Sequence, residues 1–296
     1  MKRLVLFISV FVFIQVSLFA NSFNKASVPL KAKWVVHVDV EKALATTIGK
    51  ELTALGSKDA DKVIFINLAK KVKAFTFYGT DFEKGRCMGI IDGSGDILKL
   101  LNLLKTLGVL GDGVNSEKIT LEGFEVYKVK VDGKNYYLYS QDTLIYVTKE
   151  LSLMKLQLGM LLGKEKALSE GEGSGIVLPS DKTIAFSTIG SLPNKGDPVV
   201  SEALKNIKAI QGGTYEEGDF GHGEVTLTAT SAEKATTLEQ FLTGMVAFGK
   251  LRTGDKPFIL SVLNSVNISK NDDKITIKAK ANTTELLKLI KEHHNK

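Results

Sequence analysis

The chain is poor in the residues that most chemistry and cross-linking depend on. Of its 296 residues, one is cysteine, one tryptophan, four histidine and five proline. A single cysteine, Cys87, forbids an intrachain disulfide in any compartment. It sits in Arg86-Cys87-Met88-Gly89-Ile90, a predicted strand on which the thiol is expected to be buried and inert. No Gly-x-Ser-x-Gly or His-Glu-x-x-His occurs, and no nucleophilic triad assembles. No cofactor is implied. Charge of one sign is also scarce, with 39 Lys+Arg against 33 Asp+Glu. Removing Lys2 and Arg3 with the first twenty residues leaves 37 against 33, a net +4. That falls well short of the concentrated basic footprint of a nucleic-acid binder, so nucleic acid is not an expected partner.

What is present begins with an export signal. Lys2 and Arg3 precede an uncharged run from Leu4 to Ala20, and Ala20-Asn21-Ser22 supplies small residues for cleavage after residue 20 or 22. The competing reading is an uncleaved anchor, since 17 residues lie near the lower limit of the ~17–25 that span a bilayer. In either case the rest of the chain is expected outside the cytoplasm, periplasmic or extracellular. Contact with a membrane is expected only through this segment if it stays uncleaved. No cysteine follows the run, which argues against a lipid-modified terminus.

The remainder alternates between two periods. Trp34–Val40 reads as a strand, then Leu44, Ile48, Leu52 and Leu55 trace a helix. Val72–Gly108 follows as strand, loop, strand and helix, with the helix from Ile97 to Leu107. Phe124–Val131 and Asn135–Ser140 flank Asp132-Gly133, a hairpin signal, and Thr143–Val147 is a further strand. A helix through Leu162 closes this half. The central unit recurs at Ile207–Gly249, its lysine Lys208 standing 135 positions after Lys73. Val262–Lys270 and Lys274–Ala281 are then predicted to pair, and a helix capped by Thr283 or Thr284 ends the chain. The expected organisation is a signal segment at 1–20, a first half at 34–162, a glycine-rich linker at 163–180 and a second half at 181–296. The fold class is α+β: two tandem similar halves, each an antiparallel sheet with helices packed on one face.

The strand Trp34-Val35-Val36-His37-Val38-Asp39-Val40 and the repeated strand–helix unit resemble exported, uncharacterised bacterial proteins built by internal duplication. The resemblance spans Trp34 to the C-terminus and carries no catalytic motif. It implies fold and compartment only.

Three groups of residues are candidates for chemistry. The hairpin register places Tyr127, Val129, Val131, Tyr136 and Leu138 on one side, expected to be buried, and Val126, Lys128, Lys130, Tyr137 and Tyr139 on the other. With Lys274, Thr276, Lys278 and Lys280, the latter suggest a wet face of Lys, Thr and Tyr. Tyrosine rings stack on sugars and lysines meet acidic groups, so Lys128, Lys130, Tyr137 and Tyr139 could bind a cell-envelope polymer or protein. The plain structural reading is a solvated face with edge lysines against aggregation. His37 and Asp39 share a strand face two residues apart, as metal ligands do, and His222 lies in an acidic glycine-rich loop at Tyr215–Glu224. A metal-dependent hydrolase on His37, Asp39 or His222 is therefore the alternative to a binding protein. A lipid carrier is a third reading, but it needs an apolar lining that the helices already claim.

Overall fold

The computed structural model describes residues 23–56, 71–82, 86–93, 96, 116–131, 133–171, 175–190, 198–254 and 256–294. Within these it holds twelve strands and seven helices, and every strand pairing is antiparallel. The protein is α+β. The predicted helix Ile97–Leu107 and Asp132 of the hairpin turn lie outside the described residues.

The chain divides into two compact units, one of residues 21–41 and 52–174, the other containing 42–51 and 175–296. In the N-terminal unit the strands are β1 (Trp34–Asp39), β2 (Ala74–Gly79), β3 (Met88–Asp92), β4 (Ser116–Leu121), β5 (Phe124–Val131), β6 (Lys134–Gln141) and β7 (Leu144–Thr148). They pair in the order β1-β2-β3-β7-β6-β5-β4. In the C-terminal unit β8 (Ile184–Ile189), β9 (Ile207–Glu217), β10 (Phe220–Ala229), β11 (Asn267–Asn271) and β12 (Lys274–Asn282) pair in the order β8-β9-β10-β12-β11. Among the described residues the C-terminal unit thus has two strands fewer than the N-terminal one.

The helices are α1 (Val40–Ala45), α2 (Thr47–Gly56), α3 (Leu151–Leu161), α4 (Pro198–Lys205), α5 (Ala232–Arg252), α6 (Pro257–Ser265) and α7 (Thr283–His294). Ser231 caps α5 by accepting the Lys234 N–H at 3.2 Å, the usual way a hydroxyl satisfies a first-turn donor. Helix α6 corrects the expectation of a strand from Val262. Pro257 sits in its first turn, where its fixed φ favours a helix and its missing N–H costs nothing, and β11 starts only at Asn267. The cap of α7 is Asn282, whose Oδ1 accepts the Glu285 N–H at 3.1 Å, one residue before the threonines expected there. The segment at 163–180 is likewise more than a linker. The backbone N–H of Leu30 donates to Lys166 O at 2.9 Å, that of Leu168 to Val28 O at 2.7 Å, and both Ala167 and Leu168 are buried. Residues 23–33 and 165–171 therefore form a strap within the N-terminal unit.

Side chains paired directly across antiparallel strands stand on one side of a sheet. Val35, Tyr78, Met88, Thr148, Tyr137, Lys128 and Glu117 form one such row across the N-terminal unit. Helix α3 docks on this side, because Gln157 reaches Tyr78 there. The opposite side carries the buried trio Val129, Leu138 and Ile145, with Ile91, Tyr127, Val131, Tyr136 and Val147 packed around it. In the C-terminal unit α5 covers the side bearing Leu227, Ala229 and Ile275, with Ala235 and Leu238 of the helix against them. There the other side stays polar.

Candidate functional site

The two units treat their expected wet faces differently. In the C-terminal unit the side away from α5 carries a polar row, Ser187, Gln211, Thr226, Thr276 and Ser269, drawn from all five strands. Next to it, on β12, Lys274, Lys278 and Lys280 are exposed, as expected from the alternation of Ile275, Ile277 and Ala279 with them. One cluster on this face is tightly built. Lys182 lies almost wholly buried across Gly213, where a Cβ would meet its stem at 2.7 Å. Its Nζ reaches Asp181 Oδ2 at 2.9 Å and Glu224 Oε2 at 3.1 Å, and it stands 4.0 Å from the centroid of the Tyr215 ring. Burial pulls the Lys182 ammonium down, but Asp181 and Glu224 together hold it above its ordinary value. Burial pushes the Glu224 carboxyl up, and Lys182 and Lys278 overcome that to hold it below the usual carboxylate range.

His222 belongs to the same cluster. Its imidazole stacks on Tyr215 with centroids 4.9 Å apart and planes 13° from parallel. Burial first, then Lys280 and Lys182, push its pKa down against the pull of Glu217. Far from sitting in a loop, it is on β10 opposite Tyr215 and Lys280. The alternating small residues of Phe220-Gly221-His222-Gly223 disguise a strand in the sequence.

In the N-terminal unit the expected surface is not a wet one. Lys128, Lys130, Tyr137 and Tyr139 do share a side, as the hairpin register requires, but it is the side on which α3 docks. Val126 is fully buried there. Tyr139 packs edge-on against Phe124 at 5.3 Å and stacks on Tyr146 at 6.1 Å. Burial pushes the Tyr146 hydroxyl up to about 12. Tyr137 is half-buried, and Lys128 pairs with Glu117 at 2.5 Å. Only Lys130 is exposed. Period-two alternation says which residues share a side, but not which side a helix takes. Here both sides carry large apolar groups, so both are packed.

His37 and Asp39 are buried on the same side of β1. His37 Nδ1 is 2.9 Å from Thr76 Oγ1, and its ring lies 5.7 Å from that of Phe23 in the strap. Among the described residues no group of three or more His, Cys, Asp or Glu is arranged to hold a metal ion. Cys87 is an exposed residue, not the buried one expected, and its thiol is only partly desolvated; that partial desolvation, with nearby Glu150, outweighs Lys149 in raising its pKa.

A further surface carries no signal in the usual motifs. Helix α5 leaves Met245, Phe248 and Leu251 exposed at 51%, 57% and 84%, and α6 leaves Ile259 at 44%. The sequence clue is the absence of charge from Gln240 to Gly249 and again from Pro257 to Ser269.

No protein-family model matches the chain, and no curated protein matches it. Among solved structures it is similar to TP0453 in crystal form III, at 11% identity over 93% of this chain and 98% of that one, with a TM-score of 0.50. Crystal form I of TP0453 matches at 14% identity over 90% and 98%, with a TM-score of 0.49. At such identity the likeness is one of fold.

Proposed function

We propose that the protein is exported and serves in the cell envelope by binding, not catalysis, with an anionic polymer laid along the helix-free face of β9, β10 and β12. The observation that carries this reading is the exposed row Lys274, Lys278 and Lys280 beside the hydroxyls of Thr226 and Thr276, on the side away from α5. The three ammonium groups lie on one face of one strand, Lys278 and Lys280 about 7 Å apart and Lys274 and Lys278 about 14 Å apart, so that together they can meet acidic groups spaced along a polymer. Export rests on the leader at 1–20. The chain is further proposed to descend from an internal duplication. Five strands of each unit follow one order, β1-β2-β3-β7-β6 and β8-β9-β10-β12-β11. The carbonyl of Lys73 accepts the N–H of the residue following β1, Val40, and that of Lys208 accepts the N–H of the residue following β8, Gly190.

Binding of the mature chain to isolated cell-wall glycan, measured by co-sedimentation at low and moderate salt, tests the surface. Saturable binding that weakens with salt and falls at least tenfold in Lys274→Glu/Lys278→Glu/Lys280→Glu is expected. No binding to any envelope fraction, or binding indifferent to the triple change, ends the reading.

A further inference from the structure

The last three turns of α5 present Gln240, Thr243, Gly244, Ala247, Phe248 and Leu251 to solvent, and all six are exposed. None carries a charge. Helix α6 is stranger still: Pro257-Phe258-Ile259-Leu260-Ser261-Val262-Leu263 has no charged residue and no fully buried one. An apolar stripe on a globular helix normally faces a core. Here the core stripe of α5, through Ala235 and Leu238, is already in use against the sheet. Helix α6 packs on β12 and α5 and half-buries Phe258, Leu260, Val262 and Leu263, so the exposed apolar groups are a second stripe on α5 continued by Ile259 of α6, which marks an interaction surface and not a misplaced core.

The charge around this patch selects its partner. Lys250 and Arg252 end α5 and Lys256 precedes α6, with Asp255 the single acid of the connection, leaving a net +2. The Arg252 guanidinium lies 5.3 Å from the centroid of the exposed Phe248 ring, so a basic head already lies against the apolar stripe. Apolar side chains rimmed by Lys and Arg match the boundary between acyl chains and anionic headgroups. A second copy of the chain would bring an equally basic rim against this one, and like charges disfavour that pairing. The acids of α5 stand away from its basic end: Glu239 adjoins the start of the stripe at Gln240 but lies 12 residues, about 18 Å, before Leu251. None of the described helices is long and apolar enough to cross a membrane. The contact is therefore one of lying on the surface, not of spanning it.

We propose that α5 and α6 seat the C-terminal unit on an anionic phospholipid surface, with Phe248, Leu251 and Ile259 entering the acyl boundary and Lys250, Arg252 and Lys256 meeting headgroup phosphates. This contact is independent of the leader and uses a different surface from the β12 lysines.

The test uses the chain from residue 21, because the apolar leader would itself bind lipid and the described fold begins at residue 23. Flotation with phosphatidylcholine vesicles is compared with flotation when a third of the lipid is phosphatidylglycerol. The expected result is binding to the anionic vesicles, weakened at least tenfold by Phe248→Ser/Leu251→Ser and on the order of 100-fold by Lys250→Gln/Arg252→Gln/Lys256→Gln. These side chains are largely exposed, so circular dichroism should report an unchanged fold. A Lys274→Glu/Lys278→Glu/Lys280→Glu chain should float as the parent does. Failure to float with either vesicle overturns the proposal, as does flotation that ignores both sets of changes. Analytical ultracentrifugation covers the other occupant: a dimer abolished by Phe248→Ser/Leu251→Ser assigns the patch to a second copy and also overturns it.

Discussion

The Tyr78 hydroxyl donates to Gln157 Oε1 at 2.8 Å, with both residues fully buried, and this bond ties β2 to α3. Desolvation drives the Tyr78 pKa far upward, so the phenol stays protonated and remains a donor. Among the described residues Gln157 Nε2 finds no acceptor, which leaves the amide half-satisfied. The fold tolerates one lost bond there, and losing the second should be costly.

Tyr78→Phe removes the one donor that reaches that carbonyl among the described residues and strands a buried acceptor. It should destabilise the protein by about 1–3 kcal/mol. The double change Tyr78→Phe/Gln157→Met removes both polar partners together and should recover most of the loss. Urea unfolding of the N-terminal unit, followed by the fluorescence of Trp34, measures both. A double variant no better than Tyr78→Phe alone would show that packing, not the unpaired amide, sets the cost.

At Gly213 a side chain has no room. A Cβ would meet the Ile184 carbonyl oxygen and the Lys182 stem. Gly213→Ala should therefore cost about 1–3 kcal/mol, the usual penalty of overpacking, and should lift Lys182 off Tyr215 and Glu224. Lys182→Met keeps the stem and loses only the ammonium, so it should cost less than Gly213→Ala. The reverse order in chemical denaturation would mean that charge, not steric fit, dominates this corner.

His222 should make the C-terminal unit sensitive to acid. Its pKa is lower folded than unfolded, so the folded state favours the neutral ring. The stabilisation is complete above the unfolded value near 6.5 and is lost as pH falls through the folded value. Glu224, also depressed, loses its contribution at lower pH still, below the ordinary carboxylate range. Unfolding midpoints measured from pH 8 to pH 5 should drop in the parent and stay flatter in His222→Phe, whose ring still stacks on Tyr215. Parallel curves for the two proteins would remove His222 as the source.

Much of the fold was legible because strands announce themselves by side-chain alternation. The Asp132-Gly133 hairpin pairs Tyr127 with Leu138 and Val129 with Tyr136, as its loop length requires. Ile275 and Ile277 face α5, and Lys274 and Lys278 do not. Two kinds of information were hidden. Tyr137 and Tyr139 read as outward only if one side of β5–β6 is wet, and where both sides are packed a local period cannot tell them apart. The exposed stripe of α5 was hidden for a related reason. Met245 and Phe248 lie on the same helix as the buried Leu238, and sequence does not record which part of the helix the sheet reaches. His37 and Asp39 read as a possible ligand pair because two residues on one strand face say nothing of what covers them. Thr76 and Phe23 do so here.

The strap that joins residues 23–33 to 165–171 bears on how the chain is made. Val28 and Leu30 find their backbone partners, Leu168 and Lys166, only after some 140 further residues have appeared, and residues 42–51 group with residues 175–296. Contacts so distant along the chain make folding slow, because loop closure must precede the pairing that rewards it. Delivered N-terminus first, the polypeptide stays incomplete until most of it has arrived. Under the export proposed above, that delay would suit passage through a translocation pore, which admits an extended chain and excludes a finished domain.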